Sequence, residues 1–472
     1  MKLSATLPGL LAGLLLAGCA SDGGLAARQI PAPLASLPLG TAASAPLGDW
    51  PVLDWWRAFG DPQLDHLIEQ ARANAPSLAE ARARIERADA LLLARRADAG
   101  FAADASAALL RQRYSEHAAV APTIAGSSHT SGSLTLGFRY EFDFWGQNRE
   151  RIAAELAQGD AARIEARAAE AALASAIAHS YVELARTEQE LLLASRAVAL
   201  GQREVLLRQT RLRSGLDTEV EWRQASAEVP LAEAEATRLG AQAAMLRHQL
   251  AALAGAGPAF GAQIAAPQLQ LKQGPALPPQ LEADLVARRP EIVAQRLRLE
   301  AAGHAVAAAR ADFYPNINLS GSAGLGALDA SQLLQGGSRL FGVGPALHLP
   351  LFDAGRLRAG LATRQAEQAA EVARYNQLVL NAFREVADQV SAWRALDSRV
   401  AAHASAAREL DGAERAAEQR YRQGLSSQLL LLQVQRRQLF QQQADAALQA
   451  ARLQTAIRLN HALGAGVSLN RS

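Results

Sequence analysis

From Gln147 to Arg213 the sequence holds a helical pattern for 67 residues without a proline, and Gly159 and Gly201 are its only glycines. Unbroken, such a helix is about 100 Å long, several times the length usual in globular proteins. Ser214-Gly215-Leu216-Asp217 reads as its stop and turn. A second helix is expected over 218–254, with Leu239, Leu246 and Leu253 on a seven-residue seam. The plan then recurs. A long helix is expected over 356–422, a turn over 423–426 and a helix over 427–463, with Leu432, Leu439, Ala446 and Leu453 on its seam. Gly355 follows Gly146 by 355 − 146 = 209, and Gly424 follows Gly215 by 424 − 215 = 209. Two landmarks with one offset imply a tandem internal duplication. Half the residues are apolar but only 5% are aromatic, which suits thin helical layers better than a thick core.

Against this background "LTLGFRYEFDFWG" stands out. Leu134, Leu136, Phe138, Tyr140, Phe142 and Phe144 alternate with Thr135, Gly137, Arg139, Glu141 and Asp143. This is the period of a two-faced strand. Four strands are expected, at about 101–112, 133–144, 315–325 and 340–351. A strand of this length fits a tilted membrane crossing, and Phe142, Phe144 and Trp145 resemble an interfacial aromatic girdle. Lipid tolerates no open sheet edge. Four strands cannot close a barrel, so chains must share one: about eight strands as a dimer, about twelve around a lumen as a trimer. Trp145, Gly146, Asp353 and Gly355 mark the expected transitions from barrel to helix. The competing possibility is a half-buried strand of a soluble sheet.

The start reads "MKLSATLPGLLAGLLLAGC". Residues 1–18 have the charge, apolar run and small-residue end of a secretory signal. The segment resembles a bacterial lipobox, which implies lipidation of Cys19, the only cysteine; an ordinary signal with an incidental cysteine is the alternative. Ala20, which is not Asp, implies sorting to the outer membrane. Residues 19–50 read as a tether, 255–279 as a Pro/Gly/Gln-rich connector and 465–472 as a tail. The first repeat spans 51–254, with Asp61 and Pro62 opening a helix, and the second spans 280–464.

Catalytic signatures are missing. There is no HExxH, no G-x-S-x-G and no P-loop, and "GAGPAFG" at 255–261 has the wrong spacing for a nucleotide loop. A lone cysteine excludes a disulfide framework and Cys-based zinc. The net charge of +2 gives no field for nucleic acid. No cofactor, metal or enzymatic activity is expected.

Several fragments together carry a family resemblance. They are Trp56, Phe59, Asp61, Leu64 and Ile68; "YEFDFWG" at 140–146; "ARRPEI" at 287–292; "ARADFYPNINLSGSAG" at 309–324; "PLFDAGR" at 350–356; "YRQGL" at 421–425; and "ALG" at 462–464. In this order the chain resembles the TolC/OprM-like outer-membrane efflux proteins, in their NodT-like lipoprotein branch. The resemblance implies a membrane α+β fold: a homotrimeric outer-membrane β-barrel of twelve strands, continued by a long periplasmic α-helical barrel. It implies a passive exit duct for drugs or toxic compounds. It also implies a periplasmic adaptor protein and an inner-membrane pump of the proton-driven RND type as partners. The turns with Ser214, Gly215 and Leu216, and with Gln423, Gly424, Leu425 and Ser426, would meet the adaptor. The aperture candidates are Asp217, Glu219 and Glu221, with Arg213, Arg420 and Arg422 as partners, together with Tyr421 and Gln433. The bland alternative is a set of solvated helix-end charges. A periplasmic coiled-coil structural lipoprotein without channel activity is the rival function.

Overall fold

The computed structural model describes residues 50, 52–117, 119–270, 288–350 and 352–465. Cys19, the signal, the tether up to residue 49 and the tail from residue 466 therefore lie outside the described residues. So do residues 271–279 of the connector, residues 280–287 at the start of the second repeat, with Ala287 of "ARRPEI", and Leu351 of "PLFDAGR". The element order is a 3-10 turn (Trp55–Phe59), α1 (Pro62–Asn74), α2 (Pro76–Asp98), β1 (Ala102–Arg113), β2 (Ser128–Phe142), α3 (Gln147–Arg213) and α4 (Glu219–Leu253). A short helical turn (Pro258–Gly261), α5 (Pro290–Ala311), β3 (Asn316–Ala327), β4 (Arg339–His348), α6 (Arg356–Arg422) and α7 (Gln428–Ala462) follow, with two 3-10 turns between β3 and β4. Both α3 and α6 have 67 residues, and both α4 and α7 have 35. No described helix is long and apolar enough to cross a membrane.

The chain divides into two compact units. The first comprises Arg84–Ala162 and Gln295–Tyr375 among the described residues. Its centre is one antiparallel sheet in the order β1-β2-β3-β4. Register sorts its side chains by face, because opposed residues share a face, and the two faces differ most in the half of the sheet nearer α3 and α6. One face carries Ala105, Leu136, Ala323 and Phe341 in a row, then Ala103, Phe138, Gly321 and Val343 in the next. Tyr140, Leu319 and Pro345 follow, then Phe142, Ile317 and Leu347. The opposite face carries Asp104, Thr135, Arg139, Glu141, Ser320, Ser322 and Asn318. There the Ser106 and Thr135 hydroxyls meet at 2.8 Å, and the Asn316 amide donates to Glu141 at 2.6 Å. Phe138 stacks on Phe101 with ring centroids 5.9 Å apart. Its ring also covers Gly321, where a Cβ would come within 2.2 Å of it. Glycine is needed there for close approach, not for turning.

β1 and β3 lie within one or two residues of the sequence-based expectation, and the larger or more consequential differences are at three limits of β2 and β4. β2 starts at Ser128, five residues before Ser133, because β1 pairs with it from Arg113↔Ser128 onward. The polar run "SHTSG" has no apolar alternation, but pairing with β1 satisfies the backbone groups on that side. β2 also stops at Phe142 instead of residue 144. Asp143 turns away to cap α3, accepting from the backbone N–H of Asn148 at 3.0 Å and Arg149 at 2.8 Å. Phe144 and Trp145 thus lie in a turn, closed by Gly146 at φ +75°. β4 ends at His348, short of the expected 351. Here Asp353 accepts from Gly355 at 3.0 Å and Leu357 at 2.8 Å. Asp143 to Gly146 is three steps, whereas Asp353 to Gly355 is two. The tighter turn puts Ala354 at φ 56° as well as Gly355 at φ +90°.

The second unit comprises residues up to Ala83, Arg163–Ala294 and from Asn376 onward, within the described set. Its core joins Trp55, Trp56, Phe59, Leu64 and Ile68 to Ile177 and Tyr181 of α3, Leu250 of α4 and Ile457 of α7. Amphipathic spacing puts Leu64, Leu67, Ile68 and Ala71 on the buried face of α1. A polar knot fastens this layer. Tyr181 donates its hydroxyl hydrogen to Asp61 at 2.8 Å, and the same carboxylate oxygen accepts from the Gln268 N–H at 2.8 Å. The other Asp61 oxygen caps α1 at Gln63, whose side chain bonds both ways with the Ala265 backbone. Burial, then the bond to Asp61, pushes the Tyr181 hydroxyl well above the usual phenol range.

This knot makes a first prediction. Tyr181→Phe removes one charge-assisted bond from a buried carboxylate and is expected to cost about 1–3 kcal/mol. Thermal unfolding of the detergent-solubilised protein checks it. An unchanged midpoint would show that Tyr181 contributes packing alone.

Candidate functional site: the charged helical turns

All the aperture and turn candidates fall in the second unit. The two turns share one backbone device. In the first, Leu216 N–H donates to Arg211 C=O at 2.8 Å, and Gly215 N–H to Leu212 C=O at 3.0 Å. In the second, Leu425 N–H donates to Arg420 C=O at 2.8 Å, and Gly424 N–H to Tyr421 C=O at 3.0 Å. Gly215 has φ +68° and Gly424 φ +71°, the left-handed conformation of a helix C-terminal stop. Each turn leaves a bare leucine outside, Leu216 at 65% exposure and Leu425 at 64%. Ser214, Gln423 and Gly424 are exposed, and Ser426 is half-buried.

The side chains at the two turns are not equivalent. Thr218 caps α4, and Glu221 returns a bond to the Thr218 N–H at 2.7 Å, completing a capping box. The Thr218 backbone bond, then its hydroxyl, holds the Glu221 carboxyl below the usual range. Ser427 caps α7 in the same way, but the third helical residue is Leu430 and returns nothing. Asp217 is drawn in, with only 5% of its side chain exposed, between Arg211 at 3.0 Å and Arg208 at 3.7 Å. Arg208 bonds Glu204 at 2.9 Å, and Arg436 of α7 reaches the other Glu204 oxygen. The result is a chain of charges, Arg211–Asp217–Arg208–Glu204–Arg436, that ties one helical hairpin to the other. Counting 209 residues on, Ser426 stands for Asp217, Ala417 for Arg208 and Arg420 for Arg211. The second turn therefore has no such clamp: the Ser426 hydroxyl is buried without a partner. Arg420 is exposed and makes no ion pair among the described residues.

The sequence-based candidates are thus redistributed. The structure pairs Asp217 with Arg208 and Arg211, not with Arg213, Arg420 or Arg422. Glu219 pairs with Arg223 at 2.6 Å, and Arg422 with Glu418 at 2.5 Å, both along their own helices. Arg213, Tyr421 and Gln433 are exposed. Glu204, Arg208 and Arg436 were missed. The four-residue spacing of Glu204 and Arg208 was legible as a helix pair; the contact with Arg436, 232 residues away, was not.

At the end of the sheet in the first unit, Trp145 donates to the Pro315 carbonyl at 2.8 Å and stacks on Tyr314 at 4.8 Å. A cleft of about 310 Å³ opens beside them, lined by Glu141, Arg151, Asp312, Asn316, His348 and Arg356 among others.

A two-faced sheet with open edges, joined to helices of 67 residues each followed by one of 35, is the plan expected of an outer-membrane channel protein. The outer membrane efflux protein family matches residues 67–256 and 282–465. The chain belongs to that family, which is one of channel proteins. It is 34% identical over 358 residues to the fusaric acid resistance protein FusA of Burkholderia cepacia, covering 75% of this chain and 68% of the relative. It is 31% identical over 428 residues to the multidrug resistance outer membrane protein MdtP of Escherichia coli K12, covering 88% and 87%. The crystal structure of the outer membrane protein VceC of Vibrio cholerae superposes with a TM-score of 0.80 at 33% identity, covering 88% of this chain and 99% of that one. The protein is an outer-membrane efflux component that extends into the periplasm.

The charge chain makes a second prediction. Glu204→Gln removes the ion pair to Arg436 and leaves Arg208 only its longer contact with Asp217, and is expected to destabilise by about 2 kcal/mol, with Arg436→Gln costing less because its side chain is 39% exposed. A double-mutant cycle in chemical denaturation checks the pair. Additivity of the two variants would show no coupling between the hairpins.

Proposed function

We propose that this chain forms a homotrimeric exit duct for small molecules such as drugs or toxic compounds. One observation carries the reading: a four-stranded sheet with one apolar face leaves β1 and β4 unpaired at its two edges. Three copies supply twelve strands, enough for a lumen lined by the face bearing Asp104, Arg139 and Glu141. The equal helix pairs are the product of a tandem duplication, and their hairpins assemble into a periplasmic tunnel. Cys19 carries the lipid anchor. Leu216 and Leu425, with the turn residues around them, contact a periplasmic adaptor, which links the duct to an inner-membrane pump of the proton-driven RND type.

The aperture is held by the charges at the turns. Asp217, Arg208, Glu204 and Arg436 pin the first hairpin to the second, while Glu221 keeps the start of α4 wound. Asp217→Asn combined with Glu204→Gln releases this clamp. Single-channel recording in planar bilayers is the test. The expected results are measurable conductance for the native protein and a larger or more frequent opening for the double variant. A folded oligomer with no conductance would overturn the duct, and unchanged currents would remove the clamp from the gate.

A further inference from the structure

Three arginines lie on the apolar face of the sheet, at the end away from α3 and α6. Arg111 and Arg113 continue the side of β1 that carries Ala103, Ala105, Ala107 and Leu109, and stand opposite Thr130 and Ser128. Arg339 opens β4 opposite Leu325, in line with Phe341, Val343 and Leu347. All three are exposed, and none makes an ion pair or side-chain hydrogen bond among the described residues. This face has no carboxylate on any of the four strands. Of the acids in the adjoining loops, Asp329 bonds Ser331, and the Glu116 side chain lies against Gly126.

Their height on the sheet is what gives them meaning. Along β2 the apolar face runs from Phe142 to Gly132, where Leu109 and Leu333 close over the glycine position. At about 3.3 Å per residue and a tilt near 40°, those ten steps rise about 25 Å, the apolar height of an outer-membrane barrel. Arg111 and Arg113 come directly beyond it, at headgroup level, and Arg339 lies one row inside the limit at Gly132, two rows below Arg111, from where its long stem extends toward the headgroups. Cations are unwelcome in hydrocarbon but favoured beside anionic headgroups. The planar guanidinium fork matches phosphate oxygens two at a time. β1 carries two of the arginines and β4 one, and these are the two free edges. Closing edges between copies brings the two sets together at each seam.

We propose that Arg111, Arg113 and Arg339 bind the phosphate groups of phosphorylated glycolipid in the outer leaflet. The site rests on the reading of this face as lipid-facing. A soluble anion in the lumen would instead need cations on the opposite face, where Arg139 stands near Asp104 and Glu141.

The test is retention of diphosphoryl lipid A by the purified full-length oligomer, measured by native mass spectrometry and salt titration. The native protein is expected to retain it, and to lose it as salt rises. The triple variant Arg111→Gln, Arg113→Gln, Arg339→Gln is expected to retain about tenfold less or lower still. The triple Lys variant keeps part of the binding. Undiminished retention by the Gln variant, or equal retention of dephosphorylated lipid A by the native protein, overturns the proposal. Should the triple variant fail to assemble, the three single Gln variants decide: each is expected to lose part of the binding, and full binding by all three is contrary. Channel conductance of the Gln variants is expected to stay native, which separates loss of this site from failure of the lipid-facing reading.

Discussion

Backbone groups in lipid must be paired, and the architecture depends on how that demand is met. Within one chain β2 and β3 satisfy each other along the whole of Gly132↔Ala327 to Phe142↔Ile317. That ladder joins a strand from the first half of the chain to one from the second, at the centre of the sheet. β1 and β4 each have only one neighbour. Their outer rows of N–H and C=O groups are tolerable in water but not in hydrocarbon. In the proposed trimer, the same edges that would be an aggregation hazard in a soluble protein are the means of assembly. A closed barrel has no edge left to protect.

The junctions show how a sheet hands over to a helix at low cost. Asp143 and Asp353 each take two of the N–H groups that a helix start leaves unpaired. A positive-φ glycine follows in both cases. With the ends capped, α3 and α6 extend for 67 residues on Ala-rich faces that need little depth of core. Bulk is concentrated where the Trp55-to-Ile68 layer packs, and there the Asp61–Tyr181 knot fixes it.

Much of this was legible in the sequence, for identifiable reasons. Uninterrupted helical periodicity and the recurring Gly215 and Gly424 located the long helices and their stops, because helix termination by glycine is a local backbone effect. Alternation from Leu134 to Phe142 marked β2, because one face must be apolar. The extension of β2 back to Ser128 was not legible, since its polar residues show no alternation and only the partner strand makes them a strand. Nor was the partner of Asp217 within the chain. The sequence offered Arg213, Arg420 and Arg422, and the helix spiral selected Arg211 and Arg208 instead. Arg436 entered only through the fold, as a contact between hairpins far apart in sequence.

In the proposed trimer β1 of one copy pairs with β4 of the next. Disulfide cross-linking between a cysteine at Ser106 and a series of single cysteines along β4, in native membranes, reads that pairing. Cross-links are expected at alternate β4 positions sharing one register, with a product ladder that ends at three chains. Cross-links confined to single chains, or a ladder that stops at two, would contradict the proposed trimer.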